Sequence, residues 1–352
     1  MKAINTALRG LTIGEPQAFR NLAAIPLILH NAPKAGYITL AKAVTSGVAS
    51  ITEISEGGSV PQLMLDNIGK DNVLVLDGEE LIGAKQNRIA NLTILAAAES
   101  KTVIPVSCVE QGRWSYRSAN FNVSERTQFS RGRAAKAEAL SANLKSTGTY
   151  GADQGGVWNS IQEKQSRMSV DSPTAAMADM YDQHHDNVED YTSRFAAVEN
   201  QVGVMFAIDG EIEGMDIFDA SDTFATMLPK LARSFAIDAI ETASQETKPL
   251  EQKSATRFLD RVAAAQADTY PGVGLGTDVR LSAALVAGGA LVHDEKLIHL
   301  AAFRTGAPRP AGAGDRNERQ STAETRLRSR RYAQMRRRNG SGNGNGDGNN
   351  EG

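Results

Sequence analysis

Residues 73–95 read VLVLDGEELIGAKQNRIANLTIL, and the fold turns on how this stretch is divided. Val73–Leu76 is apolar at every position, as a strand covered on both faces is expected to be. Asp77-Gly78 then carries the strongest two-residue hairpin signal, because both central positions of a type I′ turn need positive φ. The expected hairpin pairs Val73–Leu76 with Glu79–Ala84. Side chains alternate along a strand, so Glu79 and Glu80 must point to opposite faces, and one carboxylate is expected among apolar neighbours. A carboxylate held there needs a cation, hydrogen bonds or a raised pKa. Lys85, Arg88 and Arg113 are the nearby cations. Continued alternation places Lys85 and Asn87 on one side and Gln86 and Arg88 on the other, unless Gly83 introduces a bulge that turns the strand.

Outward from this stretch, strand signals fill the first 124 residues: YITLAKAV at 37–44, ASITEIS at 49–55, VPQLML at 60–65 and TVIPVSCVE at 102–110, separated by Gly, Asn and Asp. From 125 to 201 the text changes to Ala, Glu, Lys and Gln with apolar residues three or four apart, which predicts a helical insertion, with Ser172-Pro173 as one helix start. Strands return at 202–218, where VMFAIDGEIEGM repeats the Asp-Gly-Glu pattern of 77–79; two hairpins explain the likeness. Helices are expected at 224–243 and 251–266, then two last strands, VRLSAALV and KLIHLAAF. The predicted fold class is α+β: a single body over 1–303 made of a β-rich part with hairpins (1–124), a helical insertion (125–201) and a mixed part (202–303).

The hydrophobic content, 41% of 352 residues, suffices for a sizeable core. No apolar run approaches the roughly 20 residues of a membrane helix, and the first residues lack the apolar segment of a secretory signal. A cytoplasmic protein without membrane contact is expected. The net charge of −3 conceals an asymmetry: eleven arginines against Asp315, Glu318 and Glu324 lie between Arg304 and Arg338. The segment 304–352, Arg-rich and then Gly/Asn-rich, reads as a disordered basic tail, able to neutralise phosphates of nucleic acid without sequence preference or to contact acidic surfaces.

A second cluster is VIPVSCVEQGRW at 103–114. Cys108 and Glu110 share a face, and a neighbouring carboxylate raises a thiol's pKa, so Cys108 reads as a packing residue rather than a nucleophile. Arg113-Trp114 sets a flat guanidinium beside a large aromatic, suited to stacking or phosphate recognition and equally to packing. His184-His185 are adjacent, about 100° apart on a helix, and do not form the i, i+4 pair of a metal site; no metal ligand set is predicted. His299, in an apolar strand, reads as a satisfied core histidine. Gly272–Thr277, with glycines at alternating positions, follows a helix and a proline and lacks the context of a dinucleotide loop.

The segments LDGEELIGAKQNRI (76–89), IPVSCVEQGRW (104–114), GEPQAFRNLAAIPL (14–27) and QVGVMFAIDGEIEGMDIF (201–218) together resemble the uncharacterised prokaryotic family called the ARG and Rhodanese-Phosphatase-superfamily-associated Protein domain, over about residues 10–303. The family's name implies association with ADP-ribosylglycohydrolase-type and rhodanese-phosphatase-type proteins, and so with ADP-ribose, NAD-derived or phosphorylated metabolites. No catalytic role comes with the resemblance.

Two readings stand side by side at this point. In one, the body binds a phosphate- or ribose-bearing small molecule and is a candidate to process it: Lys85, Arg88 and Arg113 hold anionic oxygens, Gln86 and Asn87 orient polar groups, Trp114 stacks, and Glu79 or Glu110 serves as acid or base. In the other, the body is a non-enzymatic interaction module, and the same polar cluster is a buried network that fixes hairpin register.

Overall fold

The computed structural model describes residues 1–55, 61–243, 249–251 and 253–306. The tail predicted over 304–352 lies outside the described residues beyond 306. From the amino end the chain forms α1 (Lys2–Arg9), β1 (Thr12–Ile13), β2 (Gln17–Phe19), β3 (Leu22–Ile28), β4 (Tyr37–Thr39), α2 (Leu40–Thr45) and β5 (Ala49–Glu53). It continues through β6 (Gln62–Asn67), β7 (Asn72–Val75), β8 (Glu79–Gly83), β9 (Arg88–Ala90), β10 (Ile94–Ala96), β11 (Ser100–Cys108) and β12 (Phe121–Thr127). The helical insertion is α3 (Ser130–Thr147), α4 (Gln154–Arg167), α5 (Met177–Gln183) and α6 (His185–Thr192). The last part is β13 (Gln201–Ile208), β14 (Glu211–Phe218), α7 (Ser221–Thr242), α8 (Ser254–Ala263), β15 (Gln266–Pro271), β16 (Thr277–Ala283), β17 (Val286–His293) and β18 (Lys296–Arg304). The fold is α+β, as predicted, and Met1–Gly306 is one compact unit.

A nine-stranded sheet in the order β1-β3-β13-β14-β18-β17-β16-β15, with β2 beside β3, carries the amino end and the carboxyl-terminal part. Its central strand β13 is buried along its whole length because both faces are covered. Val204, Phe206 and Ile208 join a core with Phe224, Leu231 and Phe235 of α7, while Met205 and Ala207 join a second core with Ile4 and Leu8 of α1 and Phe258 and Val262 of α8. This is the period-two alternation of a strand between two helical layers.

The second sheet has the order β12-β8-β9-β11-β6-β5, and an antiparallel bridge between Thr52 and Asn120 joins its two edges. The six strands therefore close into a small barrel, filled by Ile51, Leu63, Leu65, Leu81, Ala90, Ile104, Val106 and Phe121. Helices of the insertion cover its outer wall, where Ile89 and Val109 meet Ile161 of α4 and Met177 and Met180 of α5. Between barrel and large sheet lies a three-stranded sheet, β10-β7-β4. Here β7 is apolar on both faces because it is wedged between two cores: Val73 and Val75 face the barrel core, and Leu74 and Leu76 face that of the large sheet.

The two Asp-Gly pairs differ. At Asp209-Gly210 both residues have positive φ, 48° and 80°, and β13 and β14 pair on either side as a type I′ hairpin. At Asp77-Gly78 only Gly78 has positive φ (78°), and the Glu79 amide donates to the Leu76 carbonyl at 3.1 Å, as in a type II turn. The expected hairpin of 73–76 with 79–84 does not form: β7 pairs with β10 and β4, whereas β8 pairs with β12 and β9. The turn passes the chain from one sheet to another.

Other boundaries also move. Residues 37–44, expected as one strand, are three strand residues and then α2, whose start is capped by the Thr39 hydroxyl accepting from the Lys42 amide at 3.3 Å. Strand β12 runs two residues beyond the predicted start of the insertion. The helix expected at Ser172-Pro173 starts at Met177, because the Ser172 hydroxyl accepts the Ala176 amide at 2.8 Å and holds 172–176 in a turn. VRLSAALV spans two strands, with Leu285 at φ 63° turning between them, and Gly272–Thr277 follows β15 rather than a helix. Among the described residues no helix is long and apolar enough to cross a membrane.

Candidate functional site

The hairpin in the opening stretch is β8–β9, with Glu80 opposite Ile89 and Leu81 opposite Arg88. Its loop is Ala84–Asn87, so the Lys-Gln-Asn-Arg run is a turn rather than a strand, and the expected alternation of its side chains does not apply. Gly83 (φ 146°) and Ala84 (φ 39°) make the turn. A side chain on Gly83 would bring its Cβ to 2.7 Å from the Asn120 carbonyl oxygen and from Ser118 Oγ. The strand ends nearest this loop are those of β8, β9, β11 and β12, together with the end of β5 and the start of β6. All lie at one mouth of the barrel.

A buried network holds the turn. Glu110 and Arg113 pair at 2.7 Å. The Glu110 carboxylate also accepts the Asn87 amide at Oε2 (3.2 Å) and the Thr174 hydroxyl at Oε1 (3.2 Å). Arg113 Nη1 donates to the carbonyls of Ala84 (2.9 Å) and Ser115 (3.0 Å), and its Nη2 to Asn87 Oδ1 (3.0 Å). Gln86 Nε2 donates to the Glu110 carbonyl at 3.0 Å, and its Oε1 accepts from Cys108 Sγ (3.1 Å) and Arg88 Nη1 (3.1 Å). Burial pushes the Cys108 thiol up, which outweighs the hydrogen bond from the Glu110 amide and the positive charge of Arg88; the thiol is a packing group.

Arg88 differs from the rest. Its side chain is fully buried and only Nη1 is used, toward Gln86 Oε1 and the Asn87 carbonyl. Among the described residues, Nε and Nη2 have no hydrogen-bond partner. These two nitrogens form one edge of the planar guanidinium, the fork that matches two oxygens of a phosphate or carboxylate. Burial lowers the Arg88 pKa, partly offset by Cys108 and by the carboxylate of Glu53. Arg88 lies opposite Cys108 in the ladder and shares the inward face of β9 with Ala90, a barrel-core residue. Trp114, 49% exposed, stands over this end, its ring centroid 5.3 Å from Lys85 Nζ and 6.0 Å from Arg88 Cζ.

The structure thus brings together Lys85, Gln86, Asn87, Arg88, Glu110, Arg113 and Trp114, and sets Glu79 apart. Glu79 and Glu80 are both buried, where one was expected to be, and neither uses the cations expected from the sequence. Glu79 pairs with Lys230 of α7 at 2.5 Å and accepts the Leu76 amide at 3.2 Å; Glu80 pairs with Arg126 of β12 at 2.8 Å. Glu79 starts β8 and Gly83 ends it, so Glu79 lies roughly 13 Å along the strand from the mouth.

The family model of the ARG and Rhodanese-Phosphatase-superfamily-associated Protein domain matches residues 10–303. The chain belongs to this family. The match covers the barrel, the insertion and nearly all of the large sheet, so the Arg88 mouth lies within the ARG and Rhodanese-Phosphatase-superfamily-associated Protein domain. No curated protein and no solved structure matches the chain.

Elsewhere, a second polar centre joins the barrel to the large sheet. Arg133 is fully buried and pairs with both oxygens of Asp216 (2.6 and 3.0 Å). His299 bridges Asp216 Oδ1 (3.2 Å) and the Thr93 hydroxyl (2.8 Å), and Lys136 pairs with Asp77 at 2.6 Å. His299 is a satisfied core histidine. A cleft of about 640 Å³ is bordered by Ile13, Pro16, Arg20, Leu22, Leu250 and Ala255; two of its charged groups pair with residues beyond the lining, Arg20 with Asp190 and Glu251 with Arg257. Among the described residues no group of three His, Cys, Asp or Glu could hold a metal ion.

Sequence reasoning missed Glu53, Lys230 and Arg126. The signal for Glu53 was present: in Ala49-Ser50-Ile51-Thr52-Glu53 it takes the third inward position of an alternating strand. For Lys230 and Arg126 no local signal exists.

Proposed function

We propose that the protein binds a phosphate- or ribose-bearing small molecule at the mouth of the six-stranded barrel, with Arg88 as its principal contact. The observation that carries this reading is the Nε–Nη2 edge of a fully buried arginine, which has no hydrogen-bond partner among the described residues. A buried guanidinium left half-paired costs stability, and an oxyanion would satisfy both donors at once. Trp114 offers a partly exposed aromatic face beside it for stacking. The phosphatase association in the family's name agrees with an anionic ligand.

The rival reading, a structural network in an interaction module, draws support from Glu110, Asn87 and Gln86, whose functional groups are engaged in holding the turn. The two readings divide the cluster: Glu110, Arg113, Asn87 and Gln86 build the turn, and Arg88 meets the ligand. Glu79, paired with Lys230 away from the mouth, is left with a structural role.

The test is thermal unfolding of the full chain with inorganic phosphate, ribose 5-phosphate, ADP-ribose and NAD. A ligand at 100 times its Kd adds about 2.7 kcal/mol of stability, a readily measured rise in Tm. That rise should vanish in Arg88→Met while the protein stays folded. A rise that survives the substitution would move the ligand elsewhere, and no rise with any of the four would leave the interaction module as the better reading.

A further inference from the structure

Glu53 ends β5, and its carboxylate is as anomalous as the Arg88 guanidinium. Both of its oxygens are shielded from water, and among the described residues neither has a hydrogen-bond partner. Ala49 and Ile51 belong to the barrel core, so alternation places Glu53 on the same inward face, one step nearer the mouth. Arg88 is on the inward face of β9. Around the closed barrel β5 and β9 are three strands apart in either direction, by way of β6 and β11 or of β12 and β8. The two side chains therefore approach from opposite walls. Arg88 feels the Glu53 charge, yet the two are not hydrogen-bonded to each other.

An acid and a base on the inward faces of opposite strands, each with two hydrogen-bonding positions unused among the described residues, form a dipolar pair of opposite specificity. The guanidinium edge takes two acceptor oxygens, and the carboxylate takes two donors. Its negative charge also penalises a bare multiply charged anion and favours a ligand that presents O–H groups to it. We infer that Glu53 is the second pole of the binding site and selects a hydroxylated phosphate ester, a sugar phosphate, by accepting hydrogen bonds from a pair of neighbouring hydroxyls while Arg88 holds the phosphate. This inference rests on the reading of Arg88 as the anion contact and adds the class of ligand. A site built to hydrogen-bond a hydroxyl discriminates strongly against the analogue that lacks it.

The experiment is calorimetric titration of the full chain with ribose 5-phosphate, 2-deoxyribose 5-phosphate and inorganic phosphate, in wild type, Glu53→Gln, Glu53→Asp and Arg88→Met. Wild type should bind ribose 5-phosphate at least about tenfold more tightly than the deoxy compound. Glu53→Gln should reduce that ratio to threefold or less without weakening inorganic phosphate, and Arg88→Met should abolish binding of all three. Glu53→Asp keeps the charge and withdraws it by one methylene, so a reduced ratio there supports the same role if the glutamine variant fails to fold. Phosphate binding that needs Arg88 but shows no preference for the hydroxylated sugar would overturn the role of Glu53 alone. So would a preference unchanged by both Glu53 variants. No binding of any of the three by wild type would overturn the Arg88 reading and this inference together.

Discussion

The carboxylate of Glu110 and the guanidinium of Arg113 lie 2.7 Å apart with side chains 3% and 4% exposed, and between them they clamp both ends of the Ala84–Asn87 turn. Glu110 takes the Asn87 amide, and Arg113 takes the Ala84 carbonyl. Glu110→Ala would leave Arg113 buried without its counter-charge and should cost about 3–5 kcal/mol. Urea unfolding monitored by circular dichroism checks this, and a loss below about 1 kcal/mol would show that the pair is not what holds the turn.

Arg88→Met should act in the opposite sense. Methionine fills similar space and removes two donors that have no partner among the described residues, so the unliganded protein should gain about 1–3 kcal/mol while losing its response to phosphate ligands. Gain of stability with loss of binding is the signature of a residue kept for function. Comparison of Tm with and without ligand separates it from a structural arginine, whose removal would lower Tm in both conditions.

The Glu79–Lys230 pair, 2.5 Å apart with both side chains nearly or fully buried, links the barrel to α7. Glu79→Ala alone should destabilise by about 3–5 kcal/mol, and the double replacement Glu79→Met with Lys230→Met should recover most of that loss. A double-mutant cycle on denaturant unfolding measures the coupling. Ligand binding at the mouth should be unchanged in the double variant.

Acid stability should depend on Asp216. Burial alone would raise its pKa, but the Arg133 charge and the His299 hydrogen bond outweigh it and hold the pKa at about 2, below the ordinary 3.8. A pKa depressed in the folded state stabilises the fold above the unfolded value, and that contribution fades as pH falls from about 4 through about 2. The shift corresponds to on the order of 2 kcal/mol. In Asp216→Asn the stability lost between pH 4 and pH 2 should shrink by about that amount; an unchanged slope of stability against pH would assign the acid sensitivity to other carboxylates.

Two glycines should rank differently. Gly210 completes a type I′ turn at φ 80°, and Gly210→Ala should cost on the order of 1 kcal/mol. Gly83 combines φ 146° with a Cβ position 2.7 Å from the Asn120 carbonyl oxygen, so Gly83→Ala must also displace backbone at the barrel mouth and should cost more. Equal losses in Tm would mean that the mouth yields without resistance.

The sequence by itself determined what depends on near neighbours. The apolar run at 73–76, the alternation that buries β13 on both faces, the Asp209-Gly210 hairpin and the periodic helices of the insertion follow from side-chain period and φ preference, which neighbours in the chain set. The clustering of Lys85–Arg88 with Glu110–Trp114 was legible as two polar motifs beside strands. Tertiary structure alone decided the rest. Asp77-Gly78 carries the same dipeptide as Asp209-Gly210, yet joins two sheets, because β7 is captured between β10 and β4. Glu79 takes a lysine 151 positions away and Glu80 an arginine 46 positions away, since a buried carboxylate pairs with whichever cation the packing of α7 and β12 delivers. Glu53 faces Arg88 only because the sheet closes on itself at Thr52 and Asn120: inward direction is fixed by strand period, but which inward residues meet across a barrel is fixed by strand order and closure.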